Sequence, residues 1–64
     1  MKTVKELRSI SGLSQTDFAK KYNIPFRTLQ NWEADPTSSS YRKCPVYVNQ
    51  MLERLVMIDF VDTF

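Results

Sequence analysis

Histidine is absent from the 64-residue sequence, and cysteine occurs once, at Cys44. One thiol and no imidazole cannot assemble a zinc site. A lone cysteine also forms no internal disulfide, which excludes a disulfide-stapled fold. Catalysis has little to work with. Cys44 precedes Pro45 at an expected helix start, where its thiol pKa would fall, but no base is at hand to pair with it. Glu33 and Asp35 form a close acidic pair beside Trp32, in a chain too small to enclose a pocket. No enzymatic activity, metal or other cofactor is therefore expected. There is no run of 18 apolar residues, and the basic N-terminus leads into no apolar signal core. A soluble cytoplasmic protein without membrane contact is the expectation.

Glycine and proline are scarce too: Gly12 alone, and Pro25, Pro36 and Pro45. Sparse punctuation makes the helix boundaries easy to place. Thr3 with Glu6 three residues on reads as a capping box, and Val4, Leu7 and Ile10 form the buried stripe of a first helix, with Lys2, Lys5 and Arg8 toward solvent. Gly12 ends it in the left-handed region. Ser14 and Asp17 repeat the box for a second helix whose inner face is Phe18, Ala19 and Tyr22, closed by Asn23. Pro25 suits the start of a third helix, with Leu29 and Trp32 inward. Residues 35–44, DPTSSSYRKC, form a long aperiodic loop, and Pro45 opens a fourth helix in which Val48, Met51, Leu52, Leu55 and Val56 supply apolar faces.

The expected architecture is all-α: a single domain of four to five short helices, at about 3–11, 14–22, 25–34 and 45–58. The apolar end MIDFVDTF either prolongs the fourth helix to about Phe60 or folds back as an extended segment. Charge is unevenly shared. Residues 1–43 carry eight bases against four acids, and residues 44–64 carry Arg54 against Glu53, Asp59 and Asp62. A basic front and an acidic tail suit a polyanion on one side and a protein contact on the other.

The stretch LSQTDFAKKYNIPFRTLQNWE, residues 13–33, is a helix, a short turn and a helix. Either this is an accidental bend, or it is a unit that lays its second helix in the major groove of DNA with the first helix bracing it. The outer face of the third helix offers Phe26, Arg27, Gln30 and Asn31. Arginine matches the guanine edge and Asn or Gln the adenine edge, which favours the second alternative. Phe26 would meet a thymine methyl or a sugar, or else cover its own core or a partner. Ser14, Gln15 and Thr28 are expected at the DNA backbone, with Tyr41, Arg42, Lys43 and the serines at 38–40 on the flank. Lys20 and Lys21 read as solvated charge.

LSQTDFA (13–19), YNI (22–24) and TLQNWE (28–33) together resemble the Cro/C1-type (XRE-family) helix-turn-helix domain of phage repressors, bacterial regulators and antitoxins, over roughly residues 4–57. The resemblance implies a lambda-repressor-like fold of five helices and a homodimer on near-palindromic double-stranded DNA. It puts base reading on Phe26, Arg27 and Asn31, with Gln30 nearby, the family's glutamine at the start of the second helix on Gln15, and a structural glutamate at Glu33. Where the family often has glycine, this chain has Asp35, which can enter the left-handed region. The segment after Pro36 is long and a fifth helix is shortened or missing. Ile58, Phe60, Val61 and Phe64 are expected to replace its dimer surface, or to meet another protein partner as in an antitoxin. Sequence-specific DNA binding that regulates transcription, most often by repression, is what the resemblance implies.

Overall fold

A computed structural model describes residues 2–61. Helices α1 (Val4–Ser11), α2 (Gln15–Lys21), α3 (Phe26–Glu33) and α4 (Val46–Val56) are followed by a π-helical turn, Met57–Val61. No strand occurs among the described residues. Phe64, one of the residues expected at a dimer surface, lies outside them.

Local chemistry sets each boundary. The Thr3 hydroxyl accepts the Glu6 N–H at 3.1 Å while the Glu6 carboxylate accepts the Thr3 N–H at 3.0 Å, a complete capping box. These bonds from Thr3, backbone first, hold the Glu6 carboxyl below its usual range. Gly12 closes α1 at φ 72°, its N–H returning to the Arg8 and Ser9 carbonyls. A Cβ there would meet nothing, so the backbone conformation rather than space requires glycine. The second box is only half formed. Ser14 Oγ accepts the Asp17 N–H at 3.1 Å, but the Asp17 side chain, one methylene shorter than glutamate, makes no return bond. Asn23 takes φ 55°, and the Ile24 N–H then reaches the Ala19 carbonyl at 2.9 Å. That dihedral and that bond together set the bend between α2 and α3.

The core is Val4, Leu7, Phe18, Ala19, Leu29, Leu52 and Val56, ringed by half-buried Leu13, Tyr22, Ile24, Trp32, Cys44, Val48 and Phe60. Two expectations for α1 are corrected. Its covered face runs through residues 4, 7, 8 and 11, so Ile10 is turned off it and exposed, and Arg8 is half-buried instead of solvated. Arg8 is drawn in by a carboxylate: its Nε and Nη2 donate to Glu33 Oε2 and Oε1 at 2.8 and 2.9 Å. Burial also pushes the Cys44 thiol up instead of down, because the half-buried sulfur is desolvated.

The chain end resolves in favour of continued helix. After Val56 the backbone widens into the π turn, which lays Phe60 against the core beside α2. The Tyr22 hydroxyl donates to Asp59 Oδ2 at 2.8 Å, and Lys21 Nζ lies 5.4 Å from the Phe60 ring centre and 3.7 Å from Asp59. Phe60 is therefore half-buried against the core, whereas Ile58 and Val61, expected with it at a dimer or partner surface, are exposed. Asp35 is corrected as well. Its φ is not positive; its Oδ1 instead accepts the Thr37 N–H and hydroxyl at 2.9 and 2.8 Å, opening the loop with a side-chain turn. Those bonds, backbone first, hold the Asp35 carboxyl low.

Candidate nucleic-acid interface

Helix α3 presents two unlike faces because its apolar residues are spaced for one side only. Leu29 is fully buried and Trp32 half-buried, whereas Arg27 and Gln30 are exposed and Phe26, at the first position of the helix, is 43% exposed. Asn31 is half-buried at the edge of the outward face, and Thr28 is half-buried between the faces. None of the four residues expected to read bases lies in the interior.

The loop after α3 is built onto this face. Its backbone ties are local, from Ser38 N–H to the Asp35 carbonyl at 2.8 Å and from Tyr41 N–H to the Ser38 carbonyl at 3.2 Å. A single longer tie, Arg42 N–H to the Asn31 carbonyl at 3.1 Å, docks the loop on the helix. Arg27, Gln30, Asn31, Ser39, Ser40 and Arg42 thereby line one concavity of about 430 Å³ with no acidic side chain in it. Arg42 Nη1 is spent on the Ser39 and Tyr41 carbonyls at 3.0 and 2.8 Å, which curls the guanidinium over the loop and leaves its other nitrogens without a partner among the described residues. A concavity with two guanidinium groups, two amides and two hydroxyls can donate hydrogen bonds to an anion and pair with base edges.

Ser14 and Gln15 sit at the start of α2, but both are already engaged. Ser14 Oγ caps the helix, and Gln15 Nε2 donates to Glu33 Oε1 at 3.1 Å. Glu33 is thus a hub, with its side chain 3% exposed, holding Arg8 and Gln15 at once. Of the flank residues, Arg42, Ser39 and Ser40 join the α3 concavity. Tyr41 and Lys43 line a separate groove beyond the other end of α3, with Trp32 and Asn49.

Two features escaped the sequence. Thr16 and Lys20, one turn apart on α2, share a shallow concavity with Asn23 and Phe26, so Lys20, itself exposed, stands on the same side as the outward aromatic. Their i, i+4 spacing ahead of the turn was the available signal. On α4, Tyr47, Met51 and Leu55, continued by Ile58, are exposed at 4, 4 and 3 spacing. The same spacing was legible as apolar, but which of two apolar faces would be covered was not.

A helix-turn-helix family model matches residues 4–44, spanning α1 to the end of the loop. No curated protein matches the chain. No solved structure matches it either. The all-α arrangement of four helices agrees with a small helix-turn-helix fold. With the sequence match running through both helices of the unit and the turn between them, the chain belongs to the helix-turn-helix family, in its XRE-type branch, a fold of DNA binding and transcriptional regulation.

Proposed function

We propose that the protein binds double-stranded DNA sequence-specifically and represses transcription by occupying a promoter. What supports this most is the acid-free concavity in which Arg27, Gln30 and Asn31 of α3 meet Ser39, Ser40 and Arg42 of the loop. Phe26, Arg27, Gln30 and Asn31 read base edges in the major groove. Arg42 and the loop serines hold one flanking strand; Gln15, anchored by Glu33, the amides at the start of α2, and Thr28 hold the other. Ser14 contributes through its cap, which aims those amides. Tyr41 and Lys43, which face the other groove, play at most a peripheral part. Such a protein works in the cytoplasm, where the DNA is.

The protein pairs with itself on DNA through the apolar stripe Tyr47, Met51, Leu55 and Ile58, with Val61 at its end. A row of four exposed apolar side chains at helical spacing is costly to leave in water and supports association. The same stripe favours a second reading, in which the occupant is a different protein that the chain neutralises, with DNA binding serving autoregulation. Selection of bound duplexes from a random library tests the first proposal. A shared motif of a few base pairs, repeated with two-fold symmetry at about one helical turn, is the expected result. Recovery of unrelated duplexes would overturn specific reading, and a single unrepeated motif would favour the second reading over the homodimer.

A further inference from the structure

Phe26 belongs neither to the core nor to the half-buried shell around it, and its ring meets no other aromatic among the described residues. It therefore does not cover the chain's own interior. With Ala19, Ile24 and Pro25 it makes the apolar part of the shallow concavity at the bend between α2 and α3. Pro25, at the N-cap position of α3, adds no backbone N–H to that wall. The polar residues beside it are Thr16, Lys20 and Asn23, with no carboxylate among them. Thr16 and Lys20 are exposed and stand one turn apart on the same face of α2. The salt bridges among the described residues engage Arg8 and Lys21 and leave Lys20 unpaired.

Given the DNA binding proposed above, on which this step rests, the position of Phe26 limits what it can touch. It is the first residue of α3, and the first residues of a groove-reading helix are those that reach base edges. A phenyl ring has no donor or acceptor, and pressing it on the N7, O6, O4 or amino group of a base would strip that group of its hydrogen bond. One apolar group is displayed in the major groove, the C5 methyl of thymine. That methyl lies on the side of the base nearest its own strand's backbone. A hydroxyl and an ammonium next to the apolar wall are therefore placed to take the neighbouring phosphate.

We infer that a thymine methyl seats against Phe26 in this concavity while Thr16 and Lys20 hold the adjoining phosphate of the same strand. Phe26 then selects thymine over the other bases by shape and desolvation, in contrast to the hydrogen bonds of Arg27, Gln30 and Asn31. Lys20, read from the sequence as solvated charge, becomes a residue that positions the chain on the duplex.

The test takes the duplex recovered by selection and replaces its thymines one at a time by deoxyuridine, which removes the methyl and keeps every hydrogen-bonding group. One thymine in each half-site should weaken binding of the full chain about four-fold when replaced, the worth of one buried methyl. Phe26→Ala should abolish that difference. Lys20→Gln should weaken the thymine and deoxyuridine duplexes equally and flatten the slope of log affinity against log salt by roughly 0.9. Both side chains are exposed, so neither change opens the core, and the deoxyuridine series needs no variant at all. A duplex preferred over scrambled DNA yet indifferent to every deoxyuridine would overturn the methyl contact and leave specific binding standing, as would a selected motif without thymine. A difference that persists in Phe26→Ala, or an unchanged salt slope in Lys20→Gln, would also overturn the arrangement. No preference for any duplex over scrambled DNA would reject the DNA reading itself, and this inference with it.

Discussion

The Arg8 guanidinium grips the Glu33 carboxylate through two contacts of 2.8 and 2.9 Å, joining the first helix of the chain to the end of the third. Arg8 also donates to the Leu13 carbonyl at 3.1 Å, and Glu33 also receives Gln15. The group thus clamps α1, the α1–α2 turn, the start of α2 and the end of α3 together. The interface proposed to meet DNA is assembled from two of those pieces. The hydrogen bond to Glu33 raises the already high pKa of Arg8, so the guanidinium stays charged throughout.

The two halves of this pair are not equivalent in burial, 23% exposed for Arg8 against 3% for Glu33. Replacing Arg8 by Met strands a buried carboxylate, and a loss of about 3 kcal/mol is expected. Glu33→Gln leaves a guanidinium that can turn to water and keeps a partner for Gln15, so its loss should be smaller. Urea denaturation of both variants measures this, and a larger loss for Glu33→Gln would show that the burial asymmetry does not govern the pair.

For DNA recognition, Arg27→Ala and Arg42→Ala should part company. Arg27→Ala is expected to weaken specific binding by about 1–3 kcal/mol and to relax preference at one base pair. Arg42→Ala should weaken specific and scrambled duplexes alike and flatten the dependence of log affinity on log salt by about one unit. Titrations on both duplexes at several salt concentrations distinguish them. An equal loss on both duplexes for the Arg27 variant would remove it from base reading.

The Tyr22 hydroxyl is pushed up to about 12, by burial first and then by its bond to Asp59 and the charge of that carboxylate. A folded-state pKa above the ordinary value of 10.0 favours the neutral phenol in the folded chain. The associated stability is fully present below pH 10 and is lost as pH rises toward 12. Thermal melts of the native chain and Tyr22→Phe from pH 8 to 12 should therefore converge at the alkaline end. A constant difference across the series would contradict the Tyr22–Asp59 linkage.

Asn49→Leu should raise stability, by about 1 kcal/mol, because it removes an unpaired buried acceptor and adds apolar contact beside Leu52. A calorimetric melt decides the sign. A lower melting temperature would mean that the amide is satisfied by ordered water in the groove.

Self-association is best probed by Met51→Glu and Leu55→Glu, since shortening the chain at the π turn would also strip Phe60 from the core. Both side chains are exposed, so each substitution should leave the fold intact and shift the DNA-bound species in sedimentation toward one chain per duplex half-site. An unchanged species in both variants would place any contact between copies elsewhere.

Local chemistry was legible in the amino-acid order. Thr3 with Glu6, Gly12, Asn23 and Pro45 mark boundaries because each acts on backbone atoms within four residues, and α3 shows its outward face by the phase of Leu29 and Trp32. Everything with two partners far apart had to await the packed chain. Arg8 at the edge of a helix reads as solvated until Glu33, 25 residues on, arrives beside it. Arg42 joins Arg27 only because its N–H finds the Asn31 carbonyl, whereas Tyr41 and Lys43, its immediate neighbours, turn to the opposite groove. Phe60 and Met51 look alike as apolar residues near the end of the chain. The widened π turn brings Phe60 against the core, while Met51 on α4 stays exposed, since periodicity gives the direction of a side chain and only tertiary packing decides what, if anything, covers it.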